Sequence, residues 1–183
     1  FKYVVEEHIT NYEYDISVSC QRGNRKDIFR YNFTSPSFYE FLNNLGITPN
    51  KTHKIGEMLI PNKFISDFLK GEFEGDGFIL IHDNNGDKYR AGITSSSRNF
   101  IQWVSEVVDD NTDNVGGSIL NDSRGDGCYT ISYENYDARE FVKFIYKNND
   151  LVLDRKYCMV KDLIDSNISR TRLRKQEVIE IYK

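Results

Sequence analysis

Phe64-Ile65-Ser66-Asp67-Phe68-Leu69-Lys70-Gly71-Glu72-Phe73-Glu74-Gly75-Asp76-Gly77 runs directly into the apolar stretch Phe78-Ile79-Leu80-Ile81, and this junction decides the fold. Phe64, Ile65, Phe68, Leu69 and Phe73 recur at helical spacing and form one apolar stripe. Pro61-Asn62 supplies a start for the helix and the glycines a stop. The helix then ends on an acid held between Gly75 and Gly77, a geometry that presents a carboxylate rather than burying it. Gly71 sits inside the helix at a cost of about 1 kcal/mol relative to Ala. Close approach of a second helix explains that glycine better than propensity does.

Working outward, Phe78 to His82 reads as a strand, Asn84-Asn85-Gly86-Asp87 as a tight turn and Lys88 to Thr94 as the returning strand. Arg98 to Val108 has helical periodicity. Ser118 to Asn121 and Cys128 to Tyr133 form a second hairpin around the loop Asp122 to Gly127, and Asp137 to Lys147 a third helix. The order helix, hairpin, helix, hairpin, helix is that of an α+β domain with an antiparallel sheet.

Upstream, Tyr14 to Cys20 and Ile28 to Phe33 form a hairpin across Gln21-Arg22-Gly23-Asn24, followed by a helix from Ser35 to Leu45 and then Ile47-Thr48-Pro49-Asn50-Lys51. The same series of elements recurs in Cys128 to Tyr133, Asp137 to Tyr146 and Leu153-Asp154-Arg155-Lys156, again ending on a lysine. A repeat of this kind bounds the architecture. It divides the chain into a partial first lobe over 1–58, a full lobe over 59–165 and a helical tail over 166–183.

The 183 residues suffice for one sizeable core or two small lobes. A hydrophobic share of 39%, a charged share of 28% and an aromatic share of 14% fit a folded globular chain and disfavour disorder. No apolar stretch approaches the roughly 18 residues of a membrane span, so no membrane partner is expected. The chain opens at Phe1 without a secretory leader pattern, which reads as an excised piece or processed product. Cys20, Cys128 and Cys158 are odd in number and lack Cys-x-x-Cys spacing, which argues against disulfides and zinc and for a reducing compartment, cytoplasmic or nucleoid-associated. The net charge of -4 is unfavourable for nucleic acid taken globally, but charge is uneven: Arg22, Arg25, Lys26 and Arg30 lie together, as do Lys88 and Arg90.

A carboxylate at a helix end beside glycine carbonyls is a hard oxygen site suited to magnesium or calcium. Asp76 would ligate directly and the Gly75 carbonyl could join it, with a second acid or a substrate phosphate completing the shell. Phosphodiester hydrolysis fits such a site, and Lys156 and Lys51 are the lysines placed to offset developing charge. Spacing alone also admits a plain helix cap with two solvated lysines. On the first hairpin, Leu80, His82 and Asn84 share a face with Lys88, Arg90 and Gly92, and a twisted ribbon of that width enters a DNA major groove; an ordinary solvent face reads the same way. Asp109 to Asn114 lacks the glycine and the distal acid of a calcium loop, and His8, His53 and His82 have no metal-ligand spacing.

Leu69-Lys70-Gly71-Glu72-Phe73-Glu74-Gly75-Asp76-Gly77 resembles the nine-residue motif of LAGLIDADG homing endonucleases and intein endonuclease domains. Leu69, Gly71, Asp76 and Gly77 match it outright, Phe73 is apolar where expected and Glu74 replaces Asp. Ile60-Pro61, Phe78-Ile79, Leu153-x-Arg155-Lys156 and Gly46 to Lys51 are similar to the flanks of the family's bacterial branch, so the likeness spans Tyr14 to Ile164. It implies an αββαββα lobe with an antiparallel DNA-binding saddle, preceded by a partial lobe. It also implies a site-specific endonuclease that hydrolyses duplex DNA with Mg²⁺ or another divalent cation. On this chain Asp76 becomes the metal ligand, assisted by the Gly75 carbonyl and Glu74, with Lys156 and Lys51 as the basic residues near the catalytic centre. Gly71 and Phe68 fall at the lobe contact, and the hairpin residues Leu80, His82, Asn84, Lys88, Arg90, Arg124, Arg22 and Arg30, with Arg98, become DNA contacts. Only one motif is present, so the resemblance implies either a homodimer with two copies of Asp76 or a missing N-terminal half carrying a second motif. The rival reading is a catalytically inactive DNA- or RNA-binding protein on the same fold.

Overall fold

The structure is a computed structural model, described here over residues 16–19, 28–82, 88–113, 115–122, 127–148, 152, 154–166 and 168. The turns around Arg22, Asn84 and Arg124 and the tail from Ser169 onward lie outside these residues. The chain divides into two compact units, Phe1–Ile47 and Thr48–Lys183. Ile55 and Met58 are buried in the second unit, and the Ser97 hydroxyl donates to the Ile55 carbonyl.

In the first unit, β1 (Ile16–Ser19) pairs antiparallel with β2 (Ile28–Tyr31), Ile16 opposite Tyr31. Helix α1 (Pro36–Asn44) starts where Ser35 accepts the Phe38 N–H at 3.3 Å and Pro36 fills the first turn. It ends as a Schellman motif: the Ile47 N–H reaches the Leu42 carbonyl at 2.9 Å, the Gly46 N–H that of Asn43 at 3.0 Å, and Gly46 takes the φ of 95° the motif needs.

The second unit is α+β. Its four-stranded antiparallel sheet has the order β3-β4-β6-β5, from β3 (Gly77–His82), β4 (Lys88–Ser95), β5 (Ser118–Asp122) and β6 (Cys128–Glu134). Helices α2 (Ile65–Asp76), α3 (Arg98–Asn111), α4 (Tyr136–Ile145) and α5 (Asp154–Asp165) complete it. The expected order of three helices and two hairpins is present. The first part of β4 alternates as a strand with one face in the core: Tyr89, Ala91 and Ile93 are buried, and Lys88 and Arg90 are exposed. Helices α2, α3 and α4 pack on β4 with Leu69, Phe73, Ile101, Val104, Phe141 and Val142 fully buried. No described helix is long and apolar enough to cross a membrane.

Asp154–Asp165, which includes Lys156, forms α5 and packs on α4 and β3. The suggested repeat fails here, because residues 51–53 make only a 3₁₀ turn. Arg139 closes the far end of α5 by donating to the Ser166 and Ile168 carbonyls at 3.0 and 2.9 Å.

Tyr133 sits at the centre of the core, fully buried and stacked on Phe141 with ring centroids 4.5 Å apart. Its hydroxyl has no hydrogen-bond partner. Burial raises this phenol far above its ordinary value, and the Asp109 and Asp137 carboxylates add to the rise. Burial likewise raises Tyr146, with the charge and hydrogen bond of Glu74 contributing. The folded state therefore favours neutral tyrosines. Their contribution is complete below the unfolded value of about 10 and declines as pH rises past it, where only the unfolded chain ionises. Tyr133→Phe removes a stranded hydroxyl whose burial costs about 1–3 kcal/mol. We expect a higher melting temperature at pH 7 and a shallower alkaline loss in urea titrations; a lower melting temperature would show that the hydroxyl contributes favourably.

Candidate functional site

Helix α2 buries Ile65, Ser66, Leu69, Lys70 and Phe73, which fall on one side at helical spacing. Lys70 stays within that buried side because its ammonium donates to the Asn148 carbonyl at 2.5 Å and pairs with Asp67 at 3.5 Å. Phe68 is half-buried and meets Phe100 and Trp103 edge-on, with centroids 6.5 and 5.9 Å away. Its ring is thus engaged inside its own unit. Gly71 and Gly75 are exposed one turn apart, and a Cβ built on either would meet nothing within 4 Å.

The helix does not stop on a left-handed glycine. Gly77 has φ -80° and ψ 163°, so the chain passes straight from α2 into extended β3. Glycine is required there for space: a Cβ would stand 2.5 Å from both the Phe73 carbonyl oxygen and the Phe73 ring. The Gly77 N–H closes the last turn on the Phe73 carbonyl, and a second donor to the helix end comes from α5. Lys156 is only 7% exposed, and its Nζ donates to the Phe73 and Gly77 carbonyls at 2.5 Å each while lying 5.1 Å from the Phe73 ring centroid. Lys156 is therefore no solvated loop charge. It clamps the two carbonyls that bracket Asp76, and its cation complements the negative end of the helix dipole.

Asp76 is exposed at the last position of α2 and faces a cleft of about 360 Å³. Glu72, Thr52, Thr94, Ser95 and Cys128 are among the residues that line it. The second carboxylate at this cleft is thus Glu72, one helical turn before Asp76. Glu74 is placed elsewhere, because two residues correspond to roughly 200° around a helix; it accepts a hydrogen bond from the Tyr146 hydroxyl at 3.1 Å. Among the described residues no three His, Cys, Asp or Glu side chains form a metal cage. The cleft nevertheless offers two carboxylates and a row of hydroxyls, the hard oxygen donors that magnesium or calcium take. The Gly75 carbonyl lies in the same last turn. Lys51 opens the 3₁₀ turn whose next residue, Thr52, lines the cleft.

The register places Leu80 opposite Arg90 and His82 opposite Lys88, and the Leu80 and Arg90 side chains share one sheet face. Arg90 and Lys88 are exposed, and Arg90 bonds Glu134 across the strands through Nη2 at 2.5 Å and Nε at 3.2 Å. Arg98 is exposed at the start of α3, beyond the Ser97 cap. Arg30 belongs to β2 in the first unit. Thr94 joins the Asp76 cleft to this open face through a hydroxyl contact with Thr130 at 3.1 Å. Glu72 and the hydroxyls were absent from the sequence-based site. The i, i+4 spacing of Glu72 and Asp76 was the signal for the former, whereas the hydroxyls converge only through the fold.

Lys156→Met keeps the aliphatic stem and removes both donors. The Phe73 carbonyl keeps the Gly77 N–H, while both it and the Gly77 carbonyl lose the charge-assisted bond from Nζ, worth about 1.5–3 kcal/mol, partly offset because an ammonium no longer has to be desolvated. A fall in the urea midpoint is the expected result. An unchanged midpoint would rule out a capping role.

No protein-family model matches the chain, and no curated protein is similar to it.

Proposed function

We propose that the chain is a LAGLIDADG-type, site-specific DNA endonuclease that hydrolyses duplex phosphodiesters with magnesium or another divalent cation. The observation that carries this reading is the exposed Asp76 carboxylate at the junction of α2 and β3, facing a hydroxyl-lined cleft beside the open face of an antiparallel sheet. Asp76 and Glu72 would hold the cation, with the Gly75 carbonyl in reach of the same shell. When bound, the cation supplies an activated water and stabilises the leaving oxygen. Lys156 acts as a positioning residue: it fixes the carbonyls on either side of Asp76 and so the direction of the carboxylate. Lys88 contributes positive charge to the face that would lie against the phosphates, where Arg90 is paired with Glu134.

Double-strand cleavage needs two such sites. The exposed Gly71 and Gly75 on α2 leave room for close approach of a second helix, from a second copy of this chain or from a preceding segment carrying its own motif. The direct experiment incubates the protein with a randomised plasmid library in Mg²⁺ and in EDTA and maps new DNA ends by sequencing. Ends clustered at one sequence and present only with Mg²⁺ are expected. Binding of duplex without any new ends would instead identify an inactive DNA-binding protein on this fold.

A further inference from the structure

Ser97 lies behind the Asp76 cleft rather than in it. It is only 3% exposed and stands between the end of β4 and the start of α3. Its bonds nevertheless run to residues that line the cleft. The hydroxyl donates to the Ile55 carbonyl and accepts the Phe100 N–H at 3.4 Å, and the Ser97 N–H reaches the Ser95 hydroxyl oxygen at 3.2 Å. A serine hydroxyl has one proton to give, and here it goes to Ile55. That bond joins residues 42 positions apart in the chain, whereas the other two are local.

Thr52 and Ile55 bring the segment before α2 to the cleft. Within 52–58, Ile55 and Met58 are buried, while Thr52, His53, Lys54 and Glu57 are exposed. Residues 54–61 belong to no helix or strand. A segment with so few buried side chains and no ladder of its own opens easily unless something pins it. The Ser97–Ile55 bond is such a pin, and it ends on the same residue that starts α3 and bonds Ser95.

We propose that Ser97 is a positioning residue of the Asp76 cleft: through one buried hydroxyl it locks the segment carrying Thr52 and Ile55 to the wall carrying Ser95 and Phe100. The proposal rests on reading the cleft as the hydrolytic site. There the lock fixes the gap between Thr52 and Ser95, so a phosphate entering beside Asp76 meets hydroxyls already in place. Ordering them beforehand removes that cost from the reaction itself.

Lys54 makes the lock measurable, because it is exposed while the bond that trypsin would cut after it leads into buried Ile55. The test uses the full chain with Ser97→Ala, Ser97→Gly, which keeps a tolerated helix cap, and Ser97→Thr, which keeps the hydroxyl. Ile145→Val, a core change in α4 far from these bonds in sequence, controls for general loss of stability. Mass spectrometry follows cutting after Lys54, which should run about fivefold faster in the alanine and glycine variants, on the scale of one lost hydrogen bond. Ile145→Val should be cut at the wild-type rate. In parallel, Mg²⁺-dependent cleavage of a duplex selected from the plasmid library by its new ends should fall about tenfold in the alanine and glycine variants at unchanged duplex affinity, and Ser97→Thr should restore it. Wild-type trypsin rates in these variants, or equal acceleration in Ile145→Val, would overturn the lock. Faster trypsin cutting with unaltered duplex cleavage would overturn the positioning role and leave the endonuclease reading standing. Failure of the wild type to cleave any DNA would remove that reading and the part Ser97 plays in it, with the trypsin rates still deciding the lock.

Discussion

Phe73→Ala should cost the second unit about 3–5 kcal/mol, a large part of the 5–15 kcal/mol that holds a typical domain together. Phe73 is fully buried, and its ring meets Phe141 and Tyr146 edge-on with centroids 5.8 and 6.1 Å away. It is therefore the side chain through which α2 grips α4. Truncation removes these contacts and opens a cavity directly beneath the end of α2. The effect reaches the site, because the ring also lies against Lys156 Nζ and the backbone carbonyl of the same residue is one of the two that Lys156 holds. Urea denaturation with tryptophan fluorescence measures the loss, Trp103 being the sole tryptophan and packed on the same layer. A loss below 1 kcal/mol would mean that the core is not organised around this residue.

Much of this layer was legible in the sequence. The stripe Ile65, Leu69, Phe73 and the strand beginning at Gly77 define α2 and β3 because an apolar period of 3.6 changes to one of 2 at a single point. The turn residues between Lys88 and His82 fixed the first hairpin for the same local reason. Helix α5 was harder to see. Its buried positions are Lys156, Val160 and Leu163, and the first of them is a lysine, so a search for apolar periodicity finds only two of the three. What stabilises that lysine is a pair of carbonyls 83 and 79 residues away in the chain, and no local pattern encodes them.

The candidate site was legible in part. Asp76 stands out because two glycines flank it, and the structure places it on a cleft. Glu74 drew attention because the resembling motif has an acid there, but a helix turns its side chain to Tyr146 instead. Glu72 takes the place beside Asp76 by simple helical geometry. Thr52, Thr94 and Ser95 come from two separate segments, so their convergence is a property of the tertiary fold rather than of spacing.

The proposed metal-dependent hydrolysis depends on the Asp76 carboxylate, with Glu72 beside it at the cleft. Its most direct test is cleavage of the selected duplex in Mg²⁺ by Asp76→Asn, Glu72→Gln and Glu74→Gln, with binding and melting temperature measured alongside. Asp76 is exposed and at a helix end, so the neutral isostere should leave the fold and the duplex affinity unchanged while cleavage falls by about a thousandfold, on the scale of losing one essential electrostatic group. Glu72→Gln should weaken cleavage and raise the Mg²⁺ requirement, and Glu74→Gln should act on stability alone. Cleavage by Asp76→Asn at the wild-type rate would contradict the account.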